Sequence, residues 1–201
     1  MLDYTYELEC KNNGFKSVCG IDEAGRGPLA GPVVAAAVIL PLGLVIDGLD
    51  DSKKLTEKKR EKLFDIIQKE ALAVSYGIAT EKEIDDTNIL KATFLAMERA
   101  VAGLSEKADF ALVDGNRTPN LKIPTSCIVK GDSKSPSIAA ASIIAKVTRD
   151  RMMMELDKQY PKYFFKKHKG YGTKLHYEKI KEFGISDVHR RSFLKNLNDH
   201  G

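Results

Sequence analysis

The feature that most constrains the fold is a nearly continuous apolar run, PVVAAAVIL, at residues 32–40. A strand buried on one face alternates apolar and polar residues, whereas this run is apolar throughout after its proline. The run therefore predicts a strand covered on both faces in the middle of a sheet. The segment SVCGIDEA (17–24) predicts a strand before it, and the glycine- and proline-rich stretch between the two predicts a turn.

The rest of the chain alternates helix and strand patterns. LTEKKREKLFDIIQKEALA predicts a helix with Thr56 as N-cap, LAVSYGIAT a strand, and NILKATFLAMERAVAGL a helix that begins near Asn88. DFALVDGN and TSCIVKGD predict two further strands, each ending in an acid. SPSIAAASIIAKVTRDRMMMELDKQY then predicts a long helix whose small residues let it lie close to the sheet. This order predicts an α/β protein with a mixed sheet.

Charge is distributed unevenly along the 201 residues. The net charge is +4, yet residues 151–201 contain 12 Lys and Arg against 6 Asp and Glu, so the first 150 residues are slightly acidic. A basic C-terminal quarter is typical of a polyanion-binding surface or of a solvated helical face. We expect a single catalytic domain over 1–201, in which about 160–201 form a basic helical part.

No segment predicts a membrane span or a secretory signal. The apolar run that ends at Leu42 is too short to span a bilayer, and residues 1–10 contain three acids and no basic residue. Cys10, Cys19 and Cys127 are widely spaced and form no CxxC pattern, so neither disulfides nor a zinc site is expected. A cytoplasmic protein is therefore predicted.

Four acids stand where predicted strands end. Asp22 and Glu23 close the first strand, Asp114 follows ALV, and Asp132 follows IVKG. Each alone is typical of a turn, but three strands that each deliver a carboxylate to one sheet edge indicate a functional site. Gathered carboxylates repel each other and need cations, and oxygen ligands favour Mg²⁺ or Mn²⁺. Two such ions about 4 Å apart can activate water and stabilise the leaving oxygen of a phosphodiester.

The glycines after the first strand have two interpretations. Gly25, Gly27 and Gly31 give GxGxxxG rather than the GxGxxG of a dinucleotide site, and a strand pattern follows instead of a helix. Gly25-Arg26-Gly27 better fits a loop whose backbone approaches a substrate closely. Backbone groups can bind a sugar hydroxyl, and the 2′-OH distinguishes RNA from DNA.

Six motifs follow one another along the chain: GIDEAGRGPLAGPVVAAAVIL, DDSKKLT, VDGN, IVKGDSKS, AAASIIAKVTRDR and HKGYGT. This ordered set resembles ribonuclease HII from about Gly20 to Phe193. The resemblance implies an RNase H-like mixed five-stranded sheet flanked by helices, with a small helical C-terminal extension. It also implies a metal-dependent endonuclease that hydrolyses the RNA strand of RNA–DNA hybrids. Such an enzyme incises 5′ of single ribonucleotides in duplex DNA by two-metal-ion catalysis, leaving 5′-phosphate and 3′-OH ends.

The resemblance also implies roles for individual residues. The implied catalytic residues, which are also the implied ligands of two Mg²⁺ or Mn²⁺ ions, are Asp22, Glu23, Asp114 and Asp132. The implied substrate-binding residues are Gly25, Arg26, Gly27, Lys53 and Tyr171. The loop would test for a 2′-OH, the ring of Tyr171 would stack on the following sugar, and Lys53 would contact a phosphate.

Two further expectations concern side-chain placement. Neighbours on an ideal strand point to opposite faces, so we expect the backbone to twist or leave regular pleating from Ile21 to Ala24, bringing both acids to the site. His168 lies among Lys166, Lys167 and Lys169, which are candidates for phosphate contacts. It is expected to be solvated or adjacent to a phosphate rather than a catalytic base.

Alternative functions stay open at this point. One is another two-metal nuclease of the same fold, which would cut DNA that lacks every 2′-OH. Another is a non-catalytic nucleic-acid-binding module, although four acids facing phosphates would not help a binder. The expected partners are RNA–DNA hybrids and ribonucleotide-containing duplex DNA. No membrane association is expected, and the chain is expected to act as a monomer. Binding to a sliding clamp is compatible with these expectations.

Overall fold

The computed structural model describes residues 2–195, which form one mixed five-stranded sheet with helices on both faces. The strands are β1 (Val18–Ala24), β2 (Val33–Ile39), β3 (Ala73–Ala79), β4 (Phe110–Asp114) and β5 (Thr125–Ile128). Their order is β3-β2-β1-β4-β5. β2 pairs antiparallel with β1 and β3, whereas β4 pairs parallel with β1 and β5. The predicted fold class is confirmed.

The interior position of β2, between β1 and β3, explains its apolar sequence. All seven of its residues are buried. Ala35 and Ala37 belong to an apolar cluster on one face of the sheet, and Ala36 and Val38 to a second cluster on the other. Each face of β2 is therefore covered, as the continuous apolar run predicts.

Helices supply both covering layers. Those within the described residues are α1 (Thr5–Asn12), α2 (Glu57–Glu70), α3 (Glu81–Asp86), α4 (Ile89–Ala102), α5 (Pro136–Gln159), α6 (Phe165–His168) and α7 (Lys174–Phe183). α4 packs against β2 and β3 on one face, while α5 packs against β1 and β2 on the other, beside α2. No helix between residues 2 and 195 combines the length and apolar character that a membrane crossing requires.

The helix caps agree with the sequence, but several elements differ from the predictions. Thr56 and Asn88 accept hydrogen bonds from backbone N–H groups in the first turns of α2 and α4. The strand predicted to end at Asp132 instead ends at Ile128, because the backbone turns at Lys130, which has a φ of 57°. The short helices α1 and α3 were not predicted.

The long helix α5 lies directly against β1 at Gly20. A Cβ on Gly20 would lie 2.1 Å from the backbone carbonyl carbon of Ser137 and 2.3 Å from the backbone nitrogen of Ile138. The small residues at the start of α5 allow this approach, as the sequence predicts. The contact fixes α5 against the strand that carries Asp22.

The chain beyond α5 is mostly helical as far as it is described. It contains 3₁₀ turns at Pro161–Tyr163 and Arg191–Phe193, together with α6 and α7. A single domain over 1–201 with a basic helical part at about 160–201 stays a prediction, since residues 196–201 lie outside the described residues.

Substitution of Gly20 by Ala tests the approach of α5 to β1. We expect Gly20→Ala to lower the free energy of unfolding by about 3 kcal/mol, because its Cβ would overlap backbone atoms that cannot rotate away. Urea denaturation measures the loss. The matched control is Gly43→Ala, whose Cβ would meet no atom within 4 Å. This variant should lose only the free energy needed to hold an alanine in the left-handed conformation, about 1 kcal/mol. Equal losses for the two variants would contradict the close approach.

Candidate active site

Three of the four predicted acids converge at one edge of the sheet. Asp22 lies on β1, Asp114 ends β4, and Asp132 lies on the 3₁₀ turn Gly131–Ser133. Each offers one carboxylate oxygen, and these oxygens lie within 4.8 Å of one another. β1, β4 and β5 run parallel, so the chain leaves all three strands at the same edge.

Backbone N–H groups hold two of these carboxylates in place. The N–H of Glu23 donates to Oδ1 of Asp22 at 2.7 Å. The N–H of Gly131 donates to Oδ1 of Asp114 at 2.6 Å and so fastens the turn that carries Asp132 to the end of β4. The turn, rather than a longer β5, brings Asp132 to the cluster.

The cluster is electrostatically unfavourable without a cation. Burial, followed by the charges of Glu23 and Asp114, raises the pKa of Asp22 well above its ordinary value. Burial and the charge of Asp114 also raise the pKa of Asp132. Lys53 gives partial compensation, since its Nζ lies 3.3 Å from Oδ2 of Asp132. Partial burial lowers the pKa of Lys53, but the charges of Asp22 and Asp132 outweigh it and the net shift is upward.

Glu23 does not share the tight group of the other three acids. Its Oε1 lies 3.4 Å from Nη1 of Arg26, and burial raises its pKa although Arg26 opposes the shift. β1 remains regularly paired with β2 up to the pair Ala24–Val34. The expectation that the backbone leaves regular pleating from Ile21 to Ala24 is therefore wrong, whereas a local twist stays a prediction. Because the strand stays regular, the two neighbouring acids take different partners at the same sheet edge.

A cleft of about 230 Å³ unites the acids with the predicted substrate-binding residues. Its lining residues predicted from the sequence are Asp22, Glu23, Asp114, Gly25, Arg26, Gly27, Lys53 and Tyr171. Asp132 is not among the lining residues, but it forms an ion pair with Lys53, which is. A second cleft of about 360 Å³ shares Glu23, Arg26 and Asp114 and is walled by α4 and the loop after β4.

Three polar residues of the first cleft were missed in the sequence. Ser142 Oγ donates to Ser52 Oγ at 2.6 Å, and both side chains are buried. Lys146, one helical turn after Ser142, donates to Asp150 at 2.7 Å. The available signal was the pair Ser142 and Lys146, four residues apart in the otherwise apolar stretch 138–147 of α5, a spacing that places both side chains on one face.

Two buried arginines hold the loop from Gly25 to Pro32. Arg149 donates to the carbonyl oxygens of Pro32, Ala30 and Lys169. Arg190 donates to those of Gly25 at 2.6 Å, Arg26 at 3.0 Å and Gly31 at 2.7 Å. Burial, with the charge of Arg149, lowers the pKa of Arg190 to about 9. Neither arginine was identified from the sequence, because a buried arginine cannot be distinguished there from a surface one.

The glycines of this loop differ in their surroundings. Gly25 has a φ of 95°, and a Cβ there would lie 2.0 Å from Nε of Arg149. A Cβ on Gly27 would meet only the Tyr171 ring, at 3.8 Å. Gly25 is therefore required by the packing of the loop, whereas Gly27 opens onto the cleft beside Tyr171.

The motif HKGYGT (168–173) and the two lysines immediately before it lie in different environments. Lys166 and Lys167 are exposed, Lys169 is half-buried, and the Tyr171 side chain is partly exposed. His168 is buried, and its Nε2 donates to the carbonyl oxygen of Tyr163 at 2.9 Å. The expectation that His168 is solvated or beside a phosphate is therefore wrong, because its ring packs inside the C-terminal part.

The sequence and the fold are both similar to those of known ribonucleases. A family model described as ribonuclease HII matches residues 19–196. A ribonuclease HII of Acetivibrio thermocellus is 59% identical over 192 residues, which cover 96% of this chain and 75% of the relative. The crystal structure of ribonuclease H2 from Pyrococcus horikoshii OT3 matches with a TM-score of 0.77 and 28% identity, covering 92% and 98% of the two chains. RNase HII from Archaeoglobus fulgidus, solved in complex with PCNA, matches with a TM-score of 0.68 and 28% identity, covering 87% and 94%.

Substitution of Asp22 by Asn tests the electrostatic cost of the acid cluster. The pKa of Asp22 is raised in the folded protein, so folding favours its protonated form, and its ionised form costs stability at pH 7.5. In EDTA we expect Asp22→Asn to raise the melting temperature by about 3 °C. The gain shrinks as the pH falls through the raised pKa, because Asp22 of the unsubstituted protein then takes up its proton.

Calorimetry at several pH values measures this gain. The control is Asp65→Asn on the exposed face of α2, which we expect to leave the melting temperature unchanged. A lower melting temperature for Asp22→Asn at pH 7.5 would show that the carboxylate stabilises the metal-free protein.

Proposed function

The chain belongs to the ribonuclease HII family, whose members hydrolyse the RNA strand of RNA–DNA hybrids, and on that premise we propose that it also incises duplex DNA 5′ of a single embedded ribonucleotide. The observation that carries this proposal is a single cleft in which the acid cluster adjoins an open glycine loop and an aromatic ring. The acids supply a site for cleavage, and the loop and ring supply a site for recognition.

The donor set of the acid cluster fits divalent cations. Three carboxylate oxygens within 4.8 Å of one another offer the hard ligands that Mg²⁺ and Mn²⁺ prefer. Asp22, Asp114 and Asp132 would hold such ions, with Glu23 beside them at the same edge. Two bound ions would neutralise the carboxylates, activate a water molecule and stabilise negative charge on the phosphodiester, leaving 5′-phosphate and 3′-OH ends.

Lys53 would position the phosphodiester chain. Its Nζ lies 3.3 Å from Oδ2 of Asp132, so the side chain already reaches the acid cluster while it lines the cleft. With cations neutralising the acids, its ammonium group would be free to contact a substrate phosphate. Lys166 and Lys167, which immediately precede the motif HKGYGT, are exposed and would add salt-sensitive phosphate contacts.

The loop Gly25–Gly27 would recognise the 2′-OH through its backbone. Arg190 donates to the carbonyl oxygens of Gly25 and Arg26, which polarises the peptide groups whose N–H atoms belong to Arg26 and Gly27. Polarised N–H groups are stronger donors to a hydroxyl oxygen. A deoxyribose would leave them without a partner, which is a source of strong discrimination.

Tyr171 would contact the next sugar in the same strand. A Cβ added to Gly27 would lie 3.8 Å from Cε1 of Tyr171, which is an ordinary van der Waals contact, so there is space between Gly27 and the ring. The C–H groups of a sugar ring are apolar, so the aromatic face would pack best where the sugar has no 2′-OH. The loop and the ring together would recognise a ribonucleotide followed by a deoxyribonucleotide.

The natural partners of the site would be RNA–DNA hybrids and duplex DNA that contains ribonucleotides. The Archaeoglobus relative is in complex with PCNA, and a sliding clamp remains a hypothesis for this chain. Action as a monomer in the cytoplasm likewise stays a prediction.

Cleavage of a DNA duplex with one ribonucleotide tests the proposed activity. We expect incision 5′ of that ribonucleotide with Mg²⁺ or Mn²⁺ and none in EDTA, because the acids need cations. Asp114→Asn should lower the rate more than about 100-fold, although its Oδ1 can still accept from Gly131. Gel electrophoresis of end-labelled strands measures the cut, and Asp65→Asn serves as the charge-matched control. Equal cutting of an all-DNA duplex would favour the alternative DNA nuclease.

Two glycine substitutions test the role of the loop. Gly27→Ala should lower kcat/KM at a single ribonucleotide about tenfold, and its melting temperature should change by no more than about 1 °C, because its Cβ has room in the folded protein. Gly25→Ala should instead lower the melting temperature, since its Cβ would displace Arg149. Steady-state kinetics and calorimetry separate the two effects. Similar unfolding of both variants would assign Gly27 a purely structural role.

A further inference from the structure

Three histidines form a buried group in the C-terminal part of the chain. His168 and His176 have ring centroids 4.3 Å apart, and those of His176 and His189 are 5.2 Å apart. All three side chains are buried, and the proposed chemistry at the acid cluster uses none of them. Their hydrogen bonds nevertheless lead to both recognition elements of the cleft.

The hydrogen-bond partners fix the proton positions on His176 and His189. The backbone N–H of Ser186 donates to Nδ1 of His189 at 2.9 Å, so the His189 proton is on Nε2. That Nε2–H donates to Nε2 of His176 at 3.1 Å. His176 then carries its own proton on Nδ1 and donates to the carbonyl oxygen of Tyr171 at 2.9 Å. Burial lowers the pKa of each ring to about 4, so both are neutral at neutral pH.

One end of this chain of hydrogen bonds is therefore the backbone of Tyr171, and the other end leads to the glycine loop. His189 forms an isolated β-bridge with Ala30. The backbone N–H of the next residue, Arg190, donates to the carbonyl oxygen of Leu29. The guanidinium of Arg190 donates to Gly25 and Arg26. The bond between the two imidazoles thus joins the segment that carries the ring to the segment that supports the loop.

We propose that His176 and His189 are positioning residues that set the distance between Tyr171 and the loop Gly25–Gly27, and thereby the preference for a ribonucleotide followed by a deoxyribonucleotide. This inference rests on the proposed roles of the loop and the ring. Those two elements would contact consecutive sugars of one strand, so a change in their separation would weaken one of the two contacts. Rigid imidazole rings, each bonded at both nitrogens, hold such a separation better than flexible side chains.

General packing of the aromatic group is the competing explanation, and Phe165 provides a control for it. The Phe165 ring is fully buried, with centroids 5.9, 5.6 and 5.7 Å from those of His168, His176 and His189. It makes no hydrogen bond in the chain from Ser186 to Tyr171. Phe165→Leu would loosen the packing of the histidines while leaving each of their hydrogen-bonding atoms in place.

Two substitutions of His176 separate its two hydrogen bonds. In His176→Asn the amide nitrogen can replace Nδ1 and keep the bond to Tyr171, but the shorter side chain no longer reaches His189. In His176→Gln the longer side chain reaches His189 and loses the donor to Tyr171. Each variant breaks the connection at a different point, so both should have the same functional effect.

The readout is the junction preference. It is defined as kcat/KM for a single ribonucleotide in duplex DNA divided by kcat/KM for a uniform RNA strand paired with DNA. Each His176 variant should lower this ratio about fivefold, the effect of one buried hydrogen bond. Phe165→Leu should lower the melting temperature and keep the ratio within about twofold. In a Tyr171→Ala background, His176→Asn should cause no further loss, since the positioned ring is already absent.

Three results would overturn the inference, and they have different meanings. An unchanged ratio in both His176 variants, with a lowered ratio in Tyr171→Ala, would refute the positioning role and keep the proposed role of Tyr171. A loss in Phe165→Leu equal to that in the His176 variants, at the same melting temperature, would assign the effect to packing. An unchanged ratio in Tyr171→Ala itself would refute the proposed function of the ring and the inference together.

Discussion

Repulsion among three carboxylates whose oxygens lie within 4.8 Å of one another is the constraint on which the rest of the structure depends. Lys53 offsets only part of that repulsion, so packing elsewhere must hold the acids together in the metal-free protein. Parallel pairing of β1 with β4 places Asp22 beside Asp114, and the contact of α5 with Gly20 fixes β1 from one face. The apolar centre of the sheet therefore stabilises a charged edge that would not form alone.

The proposed recognition elements, the loop Gly25–Gly27 and the ring of Tyr171, are held by a different means. The loop after β1 has little regular structure. The buried guanidinium groups of Arg149 and Arg190 bind five of its carbonyl oxygens, those of Gly25, Arg26, Ala30, Gly31 and Pro32. Each guanidinium has several donors in a fixed plane, so one side chain satisfies several carbonyl groups at once. This arrangement explains why a substantial C-terminal part is needed: it delivers Arg190 and Tyr171 to the loop.

The sequence predicts those features that depend on local pattern, and it fails where distant segments meet. The apolar run of β2 requires burial on both faces, and Asp114 at a strand end indicates a functional edge. Helix α1, in contrast, was missed, because Glu7 accepts from Ser135, 128 residues away, and no local periodicity reports this contact. The burial of His168 could not be predicted either, since Lys166 and Lys167 before it are exposed while its ring packs inward.

The register of β1 links the acid cluster to the proposed recognition loop. Asp22 lies two residues before Ala24, where pairing with β2 ends, and the loop begins immediately afterwards at Gly25. A slip of one residue between β1 and β4 would exchange the faces of Asp22 and Glu23 and shift the loop by the same step. The paired strands thus fix both the acids and the start of the loop. A substrate that met the loop correctly would place its phosphodiester at the acids, so selectivity would come from alignment of the scissile bond rather than from binding strength.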